Sequence, residues 1–212
     1  MSAARRTKDP VALGLRALRG GSVVVGVALK KDEPRVVLSS FLATGEDNDR
    51  LSLEPYHVAA EMERAPNGGP TAAAAAAVAK GRKRQEALAA KGLESIALEL
   101  RRDGYEPVTA ALLINRAGWI ADLLAYSLAW AEHAPVAEGL AVREALRFAI
   151  NKLGLALVEL DEKSLPDAAS NVLAVSNLEL RLKSLGATAG KPWRKEQKLA
   201  CLAAWYVLAT SG

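Results

Sequence analysis

The sequence predicts a single α/β domain built on a mixed five-stranded sheet, in which an antiparallel meander of three strands is joined by two parallel strands and flanked by helices. Two observations carry this prediction. Short segments rich in β-branched residues come early in the chain, and two continuous apolar runs, 108–114 and 155–160, each follow a helical segment. An apolar run that follows a helix is typical of a strand in a parallel sheet with both faces covered.

Composition supports a globular protein with a sizeable core. Of the 212 residues, 50% are hydrophobic and 25% are charged, which lies far from the composition of disordered chains. The single cysteine, Cys201, lies in an apolar run and is expected to be a buried hydrophobic residue. No apolar run reaches the roughly 18 residues that a membrane span requires, and the first residues do not resemble a secretory signal. We therefore expect a cytoplasmic protein with no membrane partner.

The first quarter of the chain predicts a tail and three strands. Residues 1–21 are expected to form an N-terminal tail, mobile and then weakly helical, in front of one domain spanning 22–212. Residues 22–30 and 34–43 are separated by a short polar turn, a pattern that predicts a β-hairpin. In 50–56, leucines alternate with polar residues, which predicts a third short strand.

The rest of the chain alternates helices with the two apolar strands. Gly81 and Gly92 interrupt the long helical segment 72–102, and each costs about 1 kcal/mol relative to alanine. We therefore expect two helices, or one bent helix, in that segment. Four further helices are predicted, at 119–130, 136–153, 166–185 and 193–209.

Polar residues follow the predicted parallel strands at the points where these strands end. Asn115 and Arg116 follow the fourth strand, Lys30 ends the first predicted one, and the fifth strand is followed by Asp161, Glu162 and Lys163. Ligands of open α/β sheets bind at the carboxyl ends of the strands. These residues therefore predict a polar site, in which Asn115 and Arg116 bind and Asp161 and Lys163 are catalytic candidates. The alternative is that the strand ends are polar because they emerge into water.

Glu138 is a third catalytic candidate. On the predicted helix 136–153 it lies within about 40° of the centre of the apolar stripe. A glutamate that faces a core requires a partner. Two interpretations are open: Glu138 caps the first turn of its own helix, where negative charge is favoured, or it joins the polar site.

The final helix begins with a basic segment. Lys191, Arg194 and Lys195 flank Trp193, a combination that favours binding to nucleic acid, although a solvated first turn would have the same composition. The net charge of +4 permits contacts with phosphates without requiring them. The two histidines, His57 and His133, do not have zinc-motif spacing, so no metal site is predicted and no cofactor is identified.

The segment LAVREALRFAINKLGLALVELDEKSL resembles the later half of RuvC-type Holliday-junction resolvases. KEQKLACLAAW is similar to the final helix of that family, and Lys163 would take the position of its loop lysine. The likeness covers about 80 residues, and the order of the predicted elements resembles the ribonuclease H-like fold. The chain also resembles a bacterial protein family whose members end in a segment similar to PWRKEQKLACLAAW.

The resemblance implies a nuclease site that this sequence does not reproduce. Two-metal nucleases need several carboxylates around a metal pair, one of them on the first strand. The predicted first strand, 22–30, has none, and the final helix has Glu196 early but Leu, Ala and Cys from Leu199 on. We therefore predict a ribonuclease H-like protein that lacks standard two-metal nuclease activity and binds nucleic acid. The alternatives are a small-molecule enzyme with its site at strands 4 and 5, and a structural homo-oligomer.

Overall fold

The five strands form one mixed sheet in the order β3-β2-β1-β4-β5. The computed structural model describes residues 8–115, 120–173 and 175–211. The strands are β1 (Asp9–Leu18), β2 (Gly21–Lys30), β3 (Glu33–Ala43), β4 (Tyr105–Ile114) and β5 (Ala156–Asp161). β1, β2 and β3 pair antiparallel, whereas β4 pairs parallel with both β1 and β5. The predicted architecture, a three-strand meander joined by two parallel strands, is confirmed.

The first strand is not where the sequence predicted it. Residues expected to be a weakly helical tail form β1 instead, the central strand of the sheet. Val11, Leu13 and Leu15 enter the core on one face, and Ala12 enters the core on the other. A strand buried on both faces shows no alternation of apolar and polar residues, and its Leu, Ala and Arg have good helix propensity. Pairing with β2 and β4 overrides that propensity.

The prediction of a third strand at 50–56 is also wrong. Apart from Glu54 between them, residues 50–56 belong to two short helices, α1 (Arg50–Leu53) and α2 (Pro55–Ala60). Pro55 is the first residue of α2, a position where proline fits because its missing N–H has no partner to lose. The predicted hairpin is confirmed as β2 and β3, and Lys31 and Asp32 take positive φ in the turn between them. The meander is therefore shifted by one strand towards the N-terminus.

Helices cover both faces of the sheet. They are α3 (Ala72–Arg102), α4 (Leu123–Ala129), a 3-10 turn (Ala131–His133), α5 (Ala134–Leu153), α6 (Leu165–Val172), α7 (Leu178–Ala189) and α8 (Lys195–Thr210). α3 is one continuous helix. Gly81 does not break it, and a Cβ at that position would lie 2.4 Å from the carbonyl oxygen of Leu51 in α1. A glycine at position 81 therefore permits close packing of α1 against α3.

The two helical layers enclose two apolar cores. α3 and α5 pack on one face of the sheet, and α6, α7 and α8 pack on the other. α8 crosses β1 so closely that a Cβ on Gly14 would lie 1.8 Å from the carbonyl oxygen of Ala200. In the described part of the chain, no helix is both long enough and apolar enough to cross a membrane.

Candidate nucleic-acid interface at the strand ends

The carboxyl ends of β1, β4 and β5 meet at one edge of the sheet because these strands are parallel neighbours. Arg16 pairs in register with Leu113, and Ile114 pairs with Asp161. We call this border, with the residues that follow the strands, the strand-end edge. Lys30 does not belong to it, because β2 is antiparallel to β1 and ends at the opposite edge.

Arg16 occupies the centre of the strand-end edge. Its Nε and Nη2 donate to the two carboxylate oxygens of Glu162 at 3.0 and 2.8 Å. Its Nη1 lies 3.8 Å from a carboxylate oxygen of Glu196 in the first turn of α8. The Arg16 and Glu162 side chains are only 19% and 25% exposed, and a bidentate pair of this kind is stronger and more directional than a single-point ion pair. Arg16 therefore links β1 to the end of β5 and to α8.

A second guanidinium lies beside this pair. Arg143 of α5 donates from Nη1 to Oδ1 of Asn115 at 2.7 Å. Its Nε is buried and has no hydrogen-bond partner within the described residues. Burial lowers the pKa of Arg143; the negative charge of Glu162 opposes that shift, while Arg147 and Arg16 add to it. The strand-end edge is therefore rich in arginine as well as in carboxylates.

Two predicted site residues lie where β5 ends: Asp161 is its last residue, and Lys163 lies in the turn between β5 and α6. Oδ1 of Asp161 accepts hydrogen bonds from the backbone N–H of Lys163 at 3.2 Å and of Ser164 at 2.9 Å. It also accepts from the Ser164 hydroxyl at 3.0 Å. These bonds give Asp161 a role in shaping the turn, while the side chain of Lys163 is exposed.

Glu138 bonds to a different element. Its Oε1 accepts from the backbone N–H of Tyr56 at 2.7 Å and of His57 at 3.0 Å, with Nδ1 of His57 at 3.4 Å. Glu138 thus caps the start of α2, a role that neither of the two interpretations of the sequence included. Its hydrogen bonds do not join it to Asn115 or to Asp161.

The environment of Glu138 is unusual for a carboxyl group. The residue is only 6% exposed, and its Oε2 has no hydrogen-bond partner among the residues that the structure describes. Burial raises the pKa of Glu138 to about 7, although the two N–H bonds from α2 and the neighbouring His57 oppose the shift. Desolvation therefore outweighs the capping bonds.

The basic segment 191–195, which ends at the first residue of α8, lies at the same border of the sheet, because Glu196 reaches Arg16. Lys191, Arg194 and Lys195 are exposed. Trp193 anchors the segment by donating from Nε1 to the carbonyl oxygen of Leu182 at 2.9 Å. The three cationic side chains are therefore exposed to solvent on a segment that Trp193 holds in place. Arg116, the remaining predicted binding residue, lies in 116–119, outside the described residues.

The metal pair that the resemblance implies does not fit these residues. Divalent cations of nucleases are held by carboxylate oxygens. Here the end of the first strand carries Arg16, and Glu162 is already paired with it. In the described ranges, no group of three or more His, Cys, Asp or Glu is arranged to hold a metal ion. Sequence reasoning missed Arg16 because it did not identify β1; a strand assignment for 9–18 would have placed this side chain at the sheet edge.

The fold is ribonuclease H-like and is similar to that of RuvC structures. The structure of Thermus thermophilus RuvC matches with a TM-score of 0.52 and 10% identity over 95% of both chains. RuvC from the same organism in complex with a Holliday junction substrate matches with a TM-score of 0.54 and 10% identity, over 95% of this chain and 94% of the other. No protein-family model and no curated protein matches the sequence. At this identity the likeness shows the fold alone.

Proposed function

We propose that this protein binds nucleic acid along the strand-end edge and has no two-metal nuclease activity. The observation that carries the proposal is the bidentate pair of Arg16 with Glu162 at the end of the central strand. A guanidinium at this position repels divalent cations and neutralises one of the carboxylates that would bind them.

The exposed charges at the same edge support binding to a polyanion. Lys163 extends from the loop after β5, and Lys191, Arg194 and Lys195 extend from the segment that ends at the first residue of α8. Lysine and arginine side chains that neutralise phosphates release counterions, which gives affinity without reading sequence. T. thermophilus RuvC was solved with a Holliday junction, so a four-way junction is the first probe to use.

The binding test is an anisotropy titration of labelled four-way junction, duplex and single strand at several salt concentrations. We expect affinity that falls as salt rises, with a slope that decreases by about one for each phosphate contact removed. Lys163→Glu and Lys195→Glu should weaken binding. Lys152→Glu is the matched control, because Lys152 lies in the last turn of α5, beyond the opposite edge of the sheet. Absence of binding at low salt, or affinity that ignores salt, would refute the proposal.

A cleavage assay tests the second half of the proposal. The same junction is incubated with Mg²⁺ or Mn²⁺, and the products are separated on a denaturing gel. We expect no incision above the background of the metal alone. Metal-dependent incision that disappears in Glu162→Gln would show that the strand-end carboxylates do hold a metal. Cytoplasmic localisation and homo-oligomer formation stay predictions of the sequence.

A further inference from the structure

We infer that the cleft between β3 and the start of α8 binds one unpaired nucleotide of a nucleic-acid strand, with its base stacked on Phe41. This inference rests on the proposed function and names the part of the nucleic acid that is recognised. The cleft has a volume of about 570 Å³, within the roughly 300–1,000 Å³ typical of small-molecule sites. β3 contributes Ser39, Ser40 and Phe41, and the other wall includes Pro192, Arg194 and Glu196.

Phe41 has the placement of a stacking platform. It pairs in register with Val23, so both side chains lie on the face that α8 covers. Val23 is buried, yet Phe41 is 53% exposed. The ring lies directly against Gly21, where an added Cβ would be 2.6 Å from a ring carbon. An aromatic ring held against the backbone and open to solvent can stack on any base.

The polar groups of the cleft match a nucleotide better than an apolar ligand. The Ser39 hydroxyl, on the same face of β3 as Phe41, can donate and accept, and the Glu196 carboxylate accepts, which together complement the mixed donors and acceptors of a base edge. The exposed guanidinium of Arg194 suits the adjoining phosphate. Arg194 also belongs to the basic segment, so the cleft continues the strand-end edge. A strand lying along that edge could therefore place one base on Phe41.

The test compares Phe41→Ala with Phe148→Ala. These are the two phenylalanines of the chain, and Phe148 is similarly exposed, at 42%, on α5 across the sheet. We expect Phe41→Ala to weaken binding of a labelled oligothymidine, and of a fork with an unpaired arm, about tenfold. Binding of blunt duplex should change less than twofold. Phe41→Trp should restore single-strand affinity, and Phe148→Ala should leave all probes unchanged.

The outcomes separate this inference from the proposed function. If Phe41→Ala binds oligothymidine as tightly as the unsubstituted protein, while the salt-dependent affinity for duplex persists, the nucleotide site is overturned and the proposed function stands. If no probe binds to the unsubstituted protein, both are overturned. If Phe41→Ala changes only self-association, measured by light scattering, the cleft is a protein interface and the inference fails. Circular dichroism melts of each variant establish that it is folded.

Discussion

Glu138 should make the stability of this protein depend on pH, and Glu138→Gln should remove that dependence. Glutamine has the same shape, and its Oε1 can still accept the N–H bonds of Tyr56 and His57 that cap α2. It cannot ionise. The substitution therefore separates the capping geometry from the cost of a buried charge.

The sign and size of the effect follow from the raised pKa. In the folded protein the pKa of Glu138 is about 7, against an ordinary value of 4.5. The folded state therefore holds this proton more tightly than the unfolded state. The stability that protonated Glu138 contributes is fully present below the ordinary pKa, and it is lost as the pH rises through the pKa of the folded state. One pH unit corresponds to about 1.4 kcal/mol, so the loss is on the order of 3 kcal/mol. Among the charged groups around this site, His57 faces Glu138 directly. Arg82 and Asp122 instead influence the pKa of the adjoining Tyr56.

Urea unfolding at a series of pH values between about 4.5 and 8 measures the effect as free energy of unfolding. We expect Glu138→Gln to be more stable than the unsubstituted protein at the upper end, by on the order of 2–3 kcal/mol. At the lower end of the pH range the free energies of unfolding of the two proteins should converge. Glu94→Gln, an exposed glutamate on α3, is the matched control. Parallel curves for Glu138→Gln and the unsubstituted protein across the whole range would refute the reasoning.

Three further predictions concern packing, the strand-end edge and the thiol. Gly14→Ala forces a Cβ into the backbone of α8 and should lower the free energy of unfolding by about 1–3 kcal/mol in urea melts. Gly139→Ala, which meets open space, should raise it by up to about 1 kcal/mol. Arg16→Met leaves Glu162 without its bidentate partner and should cost about 1–3 kcal/mol; a double-mutant cycle with Glu162→Gln should show coupling, and additivity would contradict the pairing. Burial raises the pKa of Cys201 to about 12, so the thiol should react with an aromatic disulfide only as the protein unfolds; a burst in the native state would contradict this.

Sequence reasoning succeeded where a strand is apolar throughout. The run 108–114 became most of β4, and 155–160 became β5, because only a strand between two helical layers needs such a composition. Their parallel pairing followed from the helices before them. Asn115 and Asp161 were then correctly assigned to strand ends, since an end is defined once its strand is known.

Sequence reasoning failed where local preference and tertiary pairing disagree. The leucines and alanines of 9–18 favour a helix locally, and only neighbours distant in sequence make this segment a strand. Without β1, the position of Arg16 was not predictable. Glu138 was recognised as a glutamate that needs a partner, but the partner is the backbone of α2, more than 80 positions away. Composition carries no signal for such a contact.

The contact of Gly14 with Ala200 limits how the central strand and the last helix can change. The backbone of α8 rests on Gly14, where an added Cβ would lie 1.8 Å from the carbonyl oxygen of Ala200. A side chain at position 14 would push the two elements apart. A residue larger than glycine can therefore occupy the centre of β1 only if α8 shifts with it, so strand and helix would have to change together.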